Sequence, residues 1–168
     1  PAYNHRELIT WALVNQPLSH APGEHYAYSN FGYCILGRVI EKISGQTYPE
    51  FVQQHIAVPC GIKDLRVAGN TRTERASDEV IYYDADKNSP YTMNVARMDS
   101  HGGWLATPSE LVRFAMHVDG FTTTPNILRA GTIATMTTPG SVNASYACGW
   151  SVNRFHNWWH GGSLPGLN

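Results

Sequence analysis

The stretch from Ser29 to Gly45 constrains this chain more than any other. Ile35, Leu36, Val39, Ile40 and Ile43 recur at helical spacing, with Arg38, Glu41 and Lys42 between them. That pattern specifies an amphipathic helix whose apolar stripe seeks a core and whose charged side faces away. Both ends are marked. Ser29 or Asn30 offers a side-chain oxygen to the unpaired amides of the first turn, and Gly45 stands where a left-handed cap closes a helix. Gly32 and Gly37 interrupt it, which predicts close packing against another backbone. A helix over 30–44 follows.

The other elements are read the same way. Leu8, Ile9, Ala12 and Leu13 give a helix over about 4–15, ended by Pro17 and the Pro22-Gly23 turn. Thr47-Tyr48-Pro49-Glu50 is a capping box for a helix through about Val58, and Thr107-Pro108-Ser109-Glu110 is a better one. A further helix is predicted over about 125–136. Residues 59–106 read as loop, with a short strand at 80–83. Residues 146–152 and 154–159 are aromatic and β-branched, which predicts two strands or a hairpin. Helices come first and strands last, so the fold class is α+β. The division is a mostly helical and loop region over 1–145 and strands over 146–168, both within one domain.

Composition narrows the function classes. The chain has 168 residues, enough for one domain that buries roughly 70 % of its unfolded surface. Charged residues are 15 %, well below the ~25 % of an average domain, which excludes global disorder. The net charge is −1 and no basic cluster occurs, so a nucleic-acid or anionic-membrane footprint is absent. No apolar run approaches the ~20 residues of a membrane span. Cys34, Cys60 and Cys148 are too far apart for a thiolate zinc site and read as small core residues. The chain begins at Pro1 without an initiator Met and shows no leader pattern. It reads as a segment of a longer protein.

Two short segments carry chemistry. Tyr28-Ser29-Asn30 sits in the turn before the helix over 30–44, where a tyrosine meets the positive end of the helix and an asparagine offers both donor and acceptor. His160-Gly161-Gly162-Ser163 follows Trp158-Trp159, and two glycines after a strand let a ligand approach the backbone. Taken singly, each is also an ordinary helix cap or turn. His156 and His160 lack the glutamate of a His-Glu-x-x-His helix, and strand spacing holds them too far apart to share a metal, so no metal is expected. Gly-x-Ser-x-Gly does not occur, which leaves an α/β-hydrolase elbow unsupported.

Together these residues resemble the serine β-lactamase and penicillin-binding-protein-like hydrolases, in particular the class C β-lactamase-related esterases and peptidases. Pro22-Gly23-Glu24 through Tyr28-Ser29-Asn30-Phe31-Gly32-Tyr33 resembles the family's "Pro-Gly … Tyr-Ser-Asn-x-Gly-Tyr" segment. Leu36 to Gly45 resembles the helix that follows, and Pro59-Cys60-Gly61-Ile62 the "Pro-Leu-Gly-Met" turn. Gly102-Gly103-Trp104-Leu105-Ala106-Thr107 with Glu110-Leu111 resembles its "Gly-Gly-x-x-Ser-Thr" helix start. Tyr146 to Trp150, then His160-Gly161-Gly162 with Pro165-Gly166, resemble its closing strands. The five segments stand in the family's order along nearly the whole chain. The resemblance implies a mostly helical subdomain of a β-lactamase/transpeptidase-like fold plus an edge of its antiparallel sheet.

The resemblance also implies a mechanism of three parts. A Ser-x-x-Lys turn supplies nucleophile and lysine, a Tyr-x-Asn a proton shuttle and a substrate anchor, and a Lys-Thr-Gly or His-x-Gly an edge strand. Tyr28 and Asn30 match the second and His160 and Gly162 the third, with Gly161 beside them and the Ser163 amide where the family places an oxyanion donor. No Ser-x-x-Lys occurs here; Cys60-Gly61-Ile62-Lys63 has only its spacing. Three readings follow. The first is part of a serine hydrolase acting through an acyl-enzyme on an ester, β-lactam or D-amino-acid peptide, without cofactor, completed by the remainder of the parent polypeptide. The second is a catalytically silent peptide- or cell-wall-binding relative. The third is an unrelated helical interaction module. A histidine in place of the family's lysine removes a permanent positive charge, which disfavours recognition of a substrate carboxylate.

Overall fold

The computed structural model describes residues 3–83 and 90–167. Helix α1 (His5–Asn15) starts at a capping box in which Asn4 accepts from the Glu7 amide and Glu7 accepts from the Asn4 amide. Helix α2 (Asn30–Ser44) has Ser29 as its cap, accepting from the Gly32 amide, and ends at Gly45 with φ 72°. Helix α3 (Tyr48–Val52) opens on the Thr47/Glu50 box and widens into a π turn over Gln53–Ala57. The expected helix through Val58 is therefore one element with two pitches. Helix α4 (Pro108–Met116) opens on the Thr107/Glu110 box, and α5 (Ala130–Thr137) closes the helical part.

Helix α5 is shorter than the helix expected over 125–136. Asn126 holds its first half as a loop, accepting from the Gly120 amide and donating to the Phe121 carbonyl. Residues 80–83 form no strand: the Tyr82 amide donates to the Tyr91 hydroxyl rather than to a neighbouring backbone.

Among the described residues two small antiparallel sheets accompany the helices. β1 (Arg66–Val67) pairs with β2 (Trp104–Leu105), Arg66 opposite Leu105 and Val67 opposite Trp104. This pair lies in the region that reads as loop, and strands of two residues carry no periodicity to detect. β3 (Ser151–Val152) pairs with β4 (Trp158–Trp159), Ser151 opposite Trp159. Most of 146–152 and 154–159 is therefore turn and bridge. Gly149 has φ 79° and His156 has φ 61°, and both bend the chain out of an extended path. Trp150 and Trp158 pack edge to face, their centroids 4.4 Å apart.

The core gathers around Ala57, Cys60 and Ile62, with Leu65, Phe114 and Ile127 packed on them. Cys34 and Val118 are also fully buried. Cys34 and Cys60 are core residues, whereas Cys148 is exposed and departs from that expectation.

Helix α2 turns inward a face rotated away from its apolar stripe, of which only Ile35 and Ile40 stay half-buried. Leu36, Val39 and Ile43 are 52 %, 44 % and 81 % exposed. The inner side holds Cys34, Gly37 and Arg38. Gly37 lies against Ser100 so closely that a Cβ there would sit 2.5 Å from the Ser100 Cβ. Arg38 donates to Asp99 Oδ2 at 2.6 Å and also reaches Glu41 on its own helix and His5 of α1. His5 Nε2 donates to the Arg97 carbonyl at 2.8 Å, so its other ring nitrogen accepts from Arg38. This polar knot binds α1 and α2 to the turn Val95–Met98 and the residues leading into β2.

Candidate active site

The Pro22-Gly23 turn delivers Tyr28 to the approach of α2, one residue before its cap, and Asn30 forms the first residue of the helix. Both are exposed, Tyr28 at 56 %. From the other end of the sequence, β4 delivers His160 immediately after Trp159. The two pieces converge: the rings of Tyr28 and His160 lie 6.2 Å apart, centre to centre, inclined by 37°. A helix-cap turn and a strand end distant in sequence meet on one surface.

Tyr146, which sequence reasoning placed only in a strand, is the residue that joins them. Its ring stands edge-on to Tyr28 at 6.2 Å and to His160 at 6.0 Å. Its hydroxyl lies 2.9 Å from His160 Nε2. His160 Nδ1 is 2.7 Å from the Gly161 carbonyl. A carbonyl only accepts, so Nδ1 carries the proton and donates. In the neutral ring Nε2 then accepts from the Tyr146 hydroxyl. A tyrosine four residues before the Trp150 of the closing segment was the available signal, but nothing local in the sequence links it to His160.

Tyr26 packs on Tyr146 at 5.5 Å, so the site has an aromatic wall. Burial pushes the Tyr146 phenol up to about 12, reinforced by Tyr33, Tyr28 and Tyr26. Burial likewise raises Tyr33, with Cys148, Tyr28 and Tyr26 adding to it. A phenol raised in this way stays protonated and acts as a donor at neutral pH.

Gly161 and Gly162 are exposed, and a Cβ at either would meet no atom within 4 Å. Their lack of side chains is not required by packing of the described residues; it leaves room beside His160. Ser163 is exposed in the same loop, its hydroxyl donating to the Leu167 carbonyl at 3.4 Å. Among the described residues no group of three or more His, Cys, Asp or Glu side chains is placed to hold a metal ion. None of the described helices is long and apolar enough to cross a membrane.

The sequence profile of the β-lactamase family matches residues 1–167. The chain belongs to the β-lactamase family. It is similar to penicillin-binding protein 4* of Bacillus subtilis, 29 % identical over 126 residues that make up 65 % of this chain and 28 % of the relative. A putative D-alanyl-D-alanine carboxypeptidase of Escherichia coli K12 is 23 % identical over 167 residues, 84 % of this chain and 38 % of its own length. Among solved structures, the D-amino acid amidase of Ochrobactrum anthropi SV3 superposes with a TM-score of 0.76 at 22 % identity, over 99 % of this chain and 51 % of the amidase. A D-stereospecific amidohydrolase of Streptomyces gives 0.77 at 22 % identity, over 98 % and 51 %. The helices and small antiparallel sheets thus belong to the β-lactamase/transpeptidase-like fold. The chain spans about half the length of these solved structures and 28–38 % of these two curated relatives.

Proposed function

We propose that this chain supplies the Tyr-x-Asn and His-x-Gly sides of a serine hydrolase site that works through an acyl-enzyme on esters, β-lactams or D-amino-acid peptides. The observation that carries the reading is the convergence of Tyr28 and His160, through Tyr146, on one surface. An unrelated cap and turn have no reason to meet. Membership of the β-lactamase family supports the reaction class.

In this reading a serine outside these 168 residues attacks the substrate carbonyl. Its proton passes to the Tyr28 side of the site, and the carbonyl oxygen gains negative charge. The Ser163 amide, beside the open glycines, donates to that oxygen. The bond to the leaving group breaks as the proton is returned to it. Water then attacks the acyl-enzyme by the same route and restores the serine. Asn30 anchors the substrate opposite His160, the two facing the acyl group from different elements.

The test is Tyr28→Phe in the full-length protein. A proton-transferring group contributes about 10²–10⁴-fold, so kcat falls by that order while the unfolding midpoint barely moves. The isolated 168-residue chain takes up no fluorophosphonate probe. An unchanged kcat in Tyr28→Phe, or a probe-labelled serine in the isolated chain, overturns the reading.

A further inference from the structure

His160 is exposed, yet both of its ring nitrogens are taken by the protein itself. Nδ1 donates to the Gly161 carbonyl at 2.7 Å, and Nε2 lies 2.9 Å from the Tyr146 hydroxyl. Protonating the ring frees neither nitrogen. Nε2 then donates to the phenol oxygen, which accepts as well as it donates. Backbone pairing sets this geometry. Tyr146 bridges Ser151, Ser151 pairs with Trp159, and His160 is the next residue. Tyr26 packs on the Tyr146 ring at 5.5 Å and Tyr28 stands edge-on to it, which keeps the phenol from swinging away. Pushed up to about 12 by burial, that phenol keeps its proton.

We infer that Tyr146 is a positioning residue that sets specificity: by occupying Nε2 it leaves the substrate no N–H of His160, so the site discriminates against a carboxylate on the acyl group. The inference rests on the hydrolase reading for the substrate, and on geometry alone for the hold on His160. A carboxylate that leaves water needs donors aimed at it. A lysine or a free imidazolium supplies a charge-assisted one. His160 supplies none in either protonation state, because its N–H directions point at Gly161 and Tyr146. The titratable groups around the pair are Tyr28, which faces His160, and Tyr26, Tyr33 and Cys148 on the side of Tyr146. A phenol or a thiol carries no positive charge that could stand in for the missing donor.

Diethyl pyrocarbonate acylates a free imidazole nitrogen, and peptide mass spectrometry reads the modified histidine without needing turnover. His156, exposed between β3 and β4, serves as the internal standard. In the full-length protein His160 should react about fivefold more slowly than His156, the ratio set by one ordinary hydrogen bond. In Tyr146→Phe the two rates should converge. The wild-type comparison stands even if that variant does not fold. Para-nitrophenyl hexanoate and para-nitrophenyl hydrogen adipate differ by a methyl against a carboxylate at the end of the acyl chain. Tyr146→Phe should raise the adipate-to-hexanoate ratio of kcat/KM about tenfold, measured below the ordinary histidine value of about 6.5, because the freed Nε2 then donates to the carboxylate. Damage to the fold alone lowers both esters alike. A wild-type His160 as reactive as His156, protection that survives Tyr146→Phe, or an unchanged ester ratio overturns the inference. Faster labelling of His160 in Tyr146→Phe, with neither ester turned over by either protein, supports the hold of Tyr146 on His160 and overturns the hydrolase reading instead.

Discussion

Removing Arg38 should cost more than removing the carboxylate it pairs with. Their side chains are 17 % and 6 % exposed and meet at 2.6 Å. At an effective dielectric near 20 the attraction at that distance is about 6 kcal/mol, largely offset by the dehydration of both charges. The fate of the remaining partner decides the outcome. Arg38→Met leaves Asp99 buried, with His5 at 3.5 Å as its nearest ionisable neighbour. The loss should be about 3 kcal/mol, the low end for a broken buried pair, because Arg38 retains some contact with water. Asp99→Asn keeps an amide of the same shape, and Arg38 keeps Glu41 at 3.2 Å. The loss should be about 1–2 kcal/mol. The double variant should lose less than the sum of the two, because the second change removes an already unpaired group. Urea unfolding at constant slope measures all three. Additive losses, or an Asp99→Asn loss as large as that of Arg38→Met, would show that Arg38 does not compensate Asp99.

Glu110 is buried, and amide hydrogen bonds from Thr107 and then Asp64 hold its carboxyl below the ordinary value of 4.5. A depressed folded value stabilises the native state above 4.5, and that stability fades as pH falls through the folded value. The stability gap between wild type and Glu110→Gln should therefore be full at neutral pH and shrink below about 4.5; a gap that grows on acidification refutes this. Gly103→Ala would press its Cβ into the Val95 carbonyl and to 3.0 Å from the Met98 carbonyl carbon. It should cost about 1–3 kcal/mol by urea unfolding, and no loss would show that the turn before β2 yields freely. Tyr146→Phe removes the donor to His160 Nε2, so the nitrogen-15 shift of that atom should move towards that of an unbonded imidazole nitrogen while Nδ1 stays protonated. A wild-type ring protonated on Nε2 would refute the assigned hydrogen bonds.

What was legible in the sequence was local. The starts of α3 and α4 follow from Thr47 and Thr107, and the limits of α2 from Ser29 and Gly45, because each boundary is satisfied within four residues of itself. The inward face of α2 was not legible. Leu36, Val39 and Ile43 of its apolar stripe stay exposed, while the packed side sets Arg38 on Asp99 and Gly37 against Ser100, partners that lie far along the chain. The β1–β2 pairing hides for the same reason. Of the candidate site, Tyr28, Asn30 and His160 stood out through family motifs, whereas Tyr146 becomes significant only once three separate elements bring rings together.

The approach of Gly37 to Ser100 restricts the order in which this protein can change. The two positions share one small volume, and the side chain at 100 already occupies it. An alanine at 37 becomes acceptable only after Ser100 has shrunk to glycine, whereas glycine at 100 is tolerated first. That first step also removes a buried hydroxyl with no hydrogen-bond partner among the described residues. Of the two orders in which this pair can change, only the one that begins at 100 avoids the clash. A substitution at 37 that is harmful in this background becomes neutral in a descendant that took the other step earlier.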